Sequence, residues 1–329
     1  MSSFKEIIGQ EHIISHFTNA ISLEKISHAY ILNGEKGTGK KTIAQVIAQA
    51  IQCEEKTGDA CGHCESCVQA EGKNQPDIIW VTHQKPNSIG VEDIRTQINQ
   101  DILVKPYKSQ YKVYIVDEAE KMTVEAQNAL LKTMEEPPHY GVIILLTTNA
   151  DKFLPTILSR CMLFNMKPIE DKLIEDYLEQ HFSTDPQQRS FCVQFAQGNL
   201  GKAIRLVSSE EFQAIKEDCI HLLKYMREME VYEIIDAVKN LTKYKLQIND
   251  YIDLMMMWYR DILILKITAS PNKLVFKEEY NYLSKEASKI SYEGIELIMK
   301  AMEKAKVRFN ANVNFDVAME LLLFTIKEN

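Results

Sequence analysis

The segment that decides the fold runs from residue 29 to residue 42 and reads AYILNGEKGTGKKT. Its apolar start, Ala29 to Leu32, is typical of a buried β-strand, and a glycine-rich loop and the start of a helix follow it. In this context, backbone N–H groups and the positive end of the helix can surround phosphate groups. The sequence therefore predicts a phosphate-binding loop that contains Gly34, Gly37, Gly39 and Lys40, with Lys40 neutralising phosphate charge.

The loop departs from a working nucleotide site at one position. Magnesium requires a Ser or Thr hydroxyl directly after the loop lysine, and this chain has Lys41, whose ammonium group cannot coordinate a cation. Thr42 comes one residue later, and one residue turns a helix by about 100°, so we expect its hydroxyl to point away from the metal site. Shifting the register by one residue would put Lys40 where a glycine is needed. We therefore expect ATP hydrolysis by this chain alone to be absent or feeble, while binding of ATP or ADP stays open.

Two carboxylates follow another apolar run. Asp117 and Glu118 come directly after Val113 to Val116, where proteins with such a loop hold Mg²⁺ through water and polarise the attacking water. The alternative is a strand end with solvated charges. The next β-prone run ends at Thr147 and Thr148, whose hydroxyls could sense a terminal phosphate or simply end the strand.

The first half of the chain alternates between β-prone and helical patterns. The β-prone runs cover residues 29–32, 78–81, 113–116, 142–146 and 162–164. Between them, apolar residues recur at spacings of three and four, for example from Val91 to Ile102. This alternation predicts an α/β domain with a parallel five-stranded sheet. After about Lys167 only helical periodicity remains, so we predict three domains, an α/β domain at 1–167, a small all-α domain at 168–207 and a larger all-α domain at 208–329.

Four of the seven cysteines form a cluster with the spacing C-x7-C-x2-C-x2-C. Its members are Cys53, Cys61, Cys64 and Cys67. Four thiolates can close a tetrahedral shell around Zn²⁺, which predicts a structural metal module at residues 53–67. A [4Fe–4S] cluster and a site in which His63 replaces one thiol remain alternatives. The three cysteines that stand apart from the cluster, Cys161, Cys192 and Cys219, are predicted to be small core residues.

Composition excludes some classes of function. The formal net charge is −8, so the chain as a whole lacks the basic character of a protein that binds a phosphate backbone by itself. Its apolar runs are too short to cross a bilayer, so we expect a cytoplasmic protein that does not bind membranes. In that reducing compartment, clustered cysteines favour a metal over disulfides.

Together these motifs resemble the AAA+ clamp-loader family of bacterial DNA polymerase III over nearly the whole chain. Matching segments are residues 8–11, 28–30, 34–40, the four clustered cysteines, 117–119, 130–137 and 157–161. The last two are the most diagnostic. The resemblance implies that residues 168–207 form a lid and that residues 208–329 form a collar that joins subunits into a ring. The run from Asn312 to Phe315 resembles part of that collar.

The resemblance also implies roles for individual residues. Arg160, in Ser159-Arg160-Cys161, would be an arginine finger that reaches the ATP of a neighbouring subunit, and its alternative role is an ion pair within the chain. Lys202 stands where motor subunits of the family commonly have an arginine in the lid. With Lys41, this departure implies the family's largely passive stator, an accessory subunit that does not polymerise DNA, and makes the phosphate-loop and acidic residues remnants of a nucleotide site.

The implied partners are the gamma/tau motor subunits, the delta subunit, the sliding clamp and, through the complex, primed DNA at the nucleoid-associated replisome. Two alternatives remain at this point. One is an active motor ATPase of the same family. The other is a zinc-containing DNA-binding regulator.

Overall fold

The computed structural model describes residues 3–83, 85–268, 271, 274–311 and 313–329. It contains two compact units, the first made of Met1–His181 and Ala196–Lys202 and the second of Phe182–Phe195 and Ala203–Asn329. The division into three domains at 167 and 207 stays a prediction. Asn312, part of the predicted collar run, lies outside the described residues.

The first unit is built on a five-stranded sheet. Its strands are β1 (Ala29–Asn33), β2 (Ile78–Val81), β3 (Lys112–Val116), β4 (Gly141–Thr147) and β5 (Met162–Asn165). Its helices are α1 (Glu11–Ser22), α2 (Lys40–Gln52), α3 (Glu65–Glu71), α4 (Val91–Ile94), α5 (Val124–Glu135), α6 (Pro155–Leu158) and α7 (Asp171–His181). All strand pairs are parallel and the order is β2-β3-β4-β1-β5, so the predicted parallel sheet is confirmed.

The central strands form the core of this unit because they carry apolar residues on both faces. Every residue of β3 and β4 is buried, as expected for parallel strands covered by helices on both sides. One face packs against α1 and α2, and the other against α4 and α5. The pairing aligns Asn33 with Thr147 and Val116 with Leu145, so β1, β3 and β4 end near one another at the carboxyl edge of the sheet.

The predicted helix from Val91 to Ile102 is present but is not a uniform α-helix. α4 continues into a π-helix over Arg95–Gln100 and a 3-10 turn over Asp101–Leu103. The hydroxyl of Thr96 donates a hydrogen bond to the carbonyl of Glu92 (2.8 Å), a contact that competes with the regular backbone ladder. The apolar side chains still reach the core, since Ile94, Ile98 and Ile102 are all buried.

The second unit is helical throughout the part that the structure describes, which confirms the predicted loss of strands. Two helices run across the boundary between the units, α8 (Pro186–Ala196) and α9 (Leu200–Val207). The others are α10 (Glu210–Tyr225), α11 (Val231–Leu241), α12 (Ile248–Thr268), α13 (Tyr280–Lys289), α14 (Tyr292–Asn310) and α15 (Phe315–Glu328). Trp258 and Phe276 contact each other edge to face in its core. Among the described helices, none has the length and apolarity of a membrane span.

Candidate nucleotide-site remnant and metal centre

The predicted phosphate loop lies between β1 and α2, at the carboxyl edge of the sheet. Gly37 and Gly39 have φ angles of +93° and +88°, which side chains other than glycine rarely adopt. The N–H of Gly34 donates to the carbonyl of Thr147 (3.0 Å) and ties the loop to β4. Lys40 is the first residue of α2, so the loop opens directly onto a helix N-terminus.

Lys40 is folded back onto the loop that it follows. Its ammonium group donates to the carbonyls of Gly34 (2.5 Å) and Glu35 (2.7 Å). Burial lowers the pKa of Lys40, and the carboxylates of Glu120 and Asp117 oppose this shift without cancelling it. The hydrogen bonds of the Lys40 ammonium group therefore go to its own loop.

Lys41 forms an ion pair at the place where a magnesium ion would be held. Its ammonium nitrogen lies 2.5 Å from Oδ2 of Asp117, the acid that follows β3. The side chain of Lys41 is 67% exposed and that of Asp117 is 26% exposed, so the pair sits at the mouth of the site. Thr42, the neighbouring hydroxyl residue, lies on the exposed surface of α2. The carboxylate that should coordinate Mg²⁺ is therefore neutralised by a lysine of the same chain.

The remaining polar residues of this edge are also paired within the chain. Glu118 adopts a left-handed conformation (φ 48°) and its carboxylate lies 2.6 Å from the ammonium nitrogen of Lys121. Thr148 donates to the carboxylate of Glu120 (2.7 Å). Burial alone would raise the pKa of Glu120, but hydrogen bonds, chiefly that from Thr148, outweigh it, and the pKa is lowered. Glu120 thus stays ionised beside Lys40.

The start of the predicted lid is bonded to the loop within the first unit. The side-chain amide of Asn199 donates to the carbonyl of Lys36 (2.9 Å), and its oxygen accepts from the N–H of Lys202 (3.0 Å). The N–H of Gly201 donates to the carbonyl of Gly37 (3.0 Å). A β-carbon at Gly201 would lie 2.4 Å from that carbonyl oxygen, so only glycine allows this approach. These bonds bring Lys202 next to the loop through its backbone.

Arg160 lies on a short connection between α6 and β5. Its guanidinium donates from Nη2 to Glu135 (2.9 Å) and from Nη1 to the carbonyl of Thr156 (3.0 Å). The side chain of Arg160 is 35% exposed to solvent, and that of Glu135 is 52% exposed. An exposed pair of this kind contributes about 0–1 kcal/mol, so another anion can compete for the guanidinium.

Arg160 and the phosphate loop belong to opposite edges of the sheet. Arg160 comes two residues before Met162, which pairs with Tyr30 of β1, whereas the loop begins at Gly34, four residues after Tyr30. At about 3.3 Å per residue, Gly34 is about 13 Å along the strands from the level of Met162, and Arg160 lies in the turn before Met162. The turn that carries Arg160 therefore precedes β5, at the edge of the sheet opposite to the phosphate loop.

The four clustered cysteines form one compact group. Their sulfur atoms all lie within 4.8 Å of one another, and those of Cys61 and Cys67 are 3.9 Å apart. A tetrahedral ion with Zn–S bonds of about 2.3 Å requires sulfur–sulfur separations of about 3.8 Å. Backbone N–H groups of Cys61, Cys64 and Cys67 donate to the sulfurs of Cys53, Cys61 and Cys64 at 3.3–3.4 Å. The group could hold a metal ion.

His63 lies beside Glu55 and Cys61, and the ligand atoms of these three residues are within 4.8 Å of one another. Its Nε2 lies 2.6 Å from Glu55, and its Nδ1 lies 3.0 Å from the carbonyl of Cys61. The pKa of Cys61 is lowered to about 7, because hydrogen bonds from Cys64 and His63 outweigh the opposing effect of burial. Four sulfurs suffice for a tetrahedral shell, and His63 and Glu55 share Cys61 with them as a second group of donors, so the site with four cysteines and the site in which His63 replaces one thiol both stay predictions. Among the cysteines outside the group, Cys192 and Cys219 are buried as predicted, and Cys161 is partly buried.

Four residues at these sites were not predicted from the sequence. They are Glu120, Lys121, Glu135 and Asn199. Glu120 and Lys121 follow the acidic pair directly, so their proximity was available as a local signal. Asn199 lies between two glycines of the segment 198–201, but its partner Lys36 is 163 residues away. No local pattern indicates a contact at that separation.

Comparison with known proteins gives consistent matches. The family model described as "DNA polymerase III, delta subunit" matches residues 9–170. The chain is 29% identical to the DNA polymerase III subunit delta′ of Bacillus subtilis, covering 97% of this chain and 96% of that one. It is 30% identical to the subunit gamma of Buchnera aphidicola from Schizaphis graminum, covering 98% and 94%. It is 29% identical to the tau subunit of B. subtilis, covering 96% of this chain but 60% of tau.

Among solved structures, a gamma subunit-related protein from Thermotoga maritima aligns with 96% of this chain and 98% of its own, at 17% identity and a TM-score of 0.47. The assignment rests instead on the sequence relatives, which match over almost their full length in two cases. The delta′, gamma and tau subunits similar to this chain are members of one family, and the chain belongs to that family, the clamp-loader family of DNA polymerase III.

Proposed function

We propose that the chain is the delta′ subunit of its clamp loader, a stator that does not hydrolyse ATP itself. The observation that carries this proposal is the ion pair between Lys41 and Asp117 (2.5 Å). Mg²⁺ binds carboxylate oxygens and keeps several waters, and an ammonium group on the same oxygen opposes it by charge and by volume. Identity does not separate the candidates, because the delta′ and gamma relatives are 29% and 30% identical. Lys41 favours delta′ over an active motor subunit.

In this proposal the chemistry occurs in a neighbouring subunit. Gamma/tau motor subunits bind ATP, and this chain supplies Arg160 to one of their terminal phosphates. An arginine that meets the charge of the transition state accelerates GTP hydrolysis by about 10³–10⁵ in GTPases. The position of Arg160 in the turn before β5, at the edge of the sheet opposite to its own phosphate loop, supports action in trans rather than in cis.

The assembly then serves clamp loading. With the delta subunit and the motor subunits, the chain would form a ring that holds an open sliding clamp at primed DNA, in the cytoplasm at the nucleoid. Residues 168–207 would be the lid and residues 208–329 the collar that joins the ring. The negative formal charge of −8 supports DNA contact through the complex rather than by this chain alone, which disfavours a DNA-binding regulator.

The four-cysteine group would hold Zn²⁺ in a structural site. The donor set fits, because four sulfurs converge and leave no position for a water or substrate. Cys53 directly follows α2 and Cys64 caps the start of α3, so one ion would connect the 53–67 segment to both helices. Zinc bound there would stabilise the fold and take no part in catalysis.

The test is the ATPase rate of the reconstituted clamp loader with Arg160→Ala in this subunit. We expect the complex to assemble, as judged by gel filtration, and its DNA-stimulated ATPase to fall sharply. Arg95→Ala offers a control that removes an exposed arginine elsewhere in the chain. A complex that assembles and hydrolyses ATP at the unchanged rate with Arg160→Ala would refute the assigned role.

A further inference from the structure

Glu135 and Arg160 form a contact whose purpose the proposed function leaves open. We propose that Glu135 is a positioning residue for Arg160. The carboxylate of Glu135 would hold the guanidinium of Arg160 in the orientation that a neighbouring subunit's phosphate requires. This inference rests on the proposed function, because it gives Glu135 a role only if Arg160 acts in trans.

Two acceptors on different elements fix the plane of the guanidinium. Oε1 of Glu135, at the end of α5, accepts from Nη2 (2.9 Å), and the carbonyl of Thr156 in α6 accepts from Nη1 (3.0 Å). A guanidinium is planar and carries five N–H donors, so two partners on its terminal nitrogens set its direction. The Arg160 side chain is still 35% exposed to solvent, so a partner subunit can reach it.

Both acceptors are attached to rigid parts of the unit. Met134, the residue before Glu135, is buried against the sheet, and α5 is further anchored by Leu130. In α6, Ile157 is fully buried, and its carbonyl accepts the N–H of Arg160 (3.0 Å). The backbone segments that carry Arg160, Glu135 and Thr156 are therefore each anchored in the core of the unit.

A surface pair with this geometry has little value for stability, since exposed pairs contribute close to nothing on average. Its value would lie in orientation. A free arginine side chain loses rotamer freedom when it docks on a phosphate, and a side chain that is already held loses less. The cost of immobilising one long side chain corresponds to about a two- to tenfold change in rate. We therefore expect removal of Glu135 to lower kcat by that factor and to leave the KM for ATP unchanged.

The experiment uses the complete reconstituted clamp loader and measures kcat and KM for ATP with primed DNA and clamp. Glu135→Ala removes the acceptor, and Glu135→Gln keeps an oxygen that can accept from Nη2. Glu136→Ala removes the adjacent exposed carboxylate and is the matched control. Arg160→Ala and the double variant Arg160→Ala/Glu135→Ala complete a double-mutant cycle.

We expect Glu135→Ala to lower kcat two- to tenfold, Glu135→Gln to retain most of the rate, and Glu136→Ala to match the wild type. In the Arg160→Ala background, Glu135→Ala should have no further effect. An unchanged or raised rate with Glu135→Ala, or an equal loss with and without Arg160, would overturn the positioning role alone. An unchanged rate with Arg160→Ala would instead overturn the proposed function and this inference with it.

Discussion

Replacing Lys41 with threonine should create a magnesium site where the chain now has an ion pair. The ammonium lies 2.5 Å from Oδ2 of Asp117, and Mg²⁺ binds such an oxygen at about 2.1 Å, so the two cations would be within about 4.6 Å of each other. Even with the dielectric constant of water, their repulsion is about 2 kcal/mol at that distance. Removing it should strengthen magnesium-dependent nucleotide binding by roughly 20- to 30-fold. The lost pair is exposed, so stability should change by less than about 1 kcal/mol.

The assay is equilibrium binding of a fluorescent ATP analogue to the purified chain, with Mg²⁺ and with EDTA. Lys41→Thr should bind at least about 20-fold more tightly with Mg²⁺ than with EDTA, whereas the wild type should show no magnesium dependence. Lys36→Thr removes the same charge from an exposed position of the same loop and should behave like the wild type. The reasoning is refuted if Lys41→Thr gains no magnesium dependence, or if the wild type already has it.

Three further predictions concern stability and metal content. Cys64→Ser should reduce bound zinc from about one equivalent to none, as measured by elemental analysis, and should lower the Tm. His63→Ala should keep the metal, and a histidine variant that loses zinc would contradict the four-sulfur site. Gly201→Ala should destabilise the chain by about 1–3 kcal/mol in denaturant titration, because its β-carbon would meet the carbonyl of Gly37, whereas Gly72→Ala, with no atom closer than 3.5 Å, should be tolerated. Asp261→Ala should lower the Tm much more than Asp261→Asn. The fully buried carboxylate accepts hydrogen bonds from the N–H groups of Val275 (2.7 Å) and Phe276 (2.8 Å), and of the two replacements only asparagine keeps an acceptor. Equal losses of Tm would contradict this explanation.

The sheet could be predicted from the sequence because each strand has a recognisable local pattern of apolar residues. Strand β4, for example, is buried on both faces and consists almost entirely of apolar residues. A short, continuous apolar run of this kind indicates a buried strand of a parallel sheet. The cysteine group was predictable for the same reason, since its four ligands lie within 15 residues of the chain. The expected loss of the magnesium site followed from a single residue, Lys41, and the structure pairs that lysine with Asp117.

What the sequence left open depends on contacts between distant segments. The partner of Lys41, Asp117, lies at the end of a different strand, and the pairing appears only when β1, β3 and β4 end together. Asn199 and Lys36 meet across 163 residues. The π-helix after α4 was also not predicted, because the spacing of apolar residues does not distinguish it from an α-helix over one or two turns.

The most direct test of the central claim is ATP turnover by the purified wild-type chain in the presence of Mg²⁺ and primed DNA, compared with Lys40→Ala. The ion pair at Asp117 predicts no turnover above that of the Lys40→Ala variant. A steady rate on the order of 1 s⁻¹ that Lys40→Ala abolishes would contradict the claim that this chain leaves ATP hydrolysis to its neighbours.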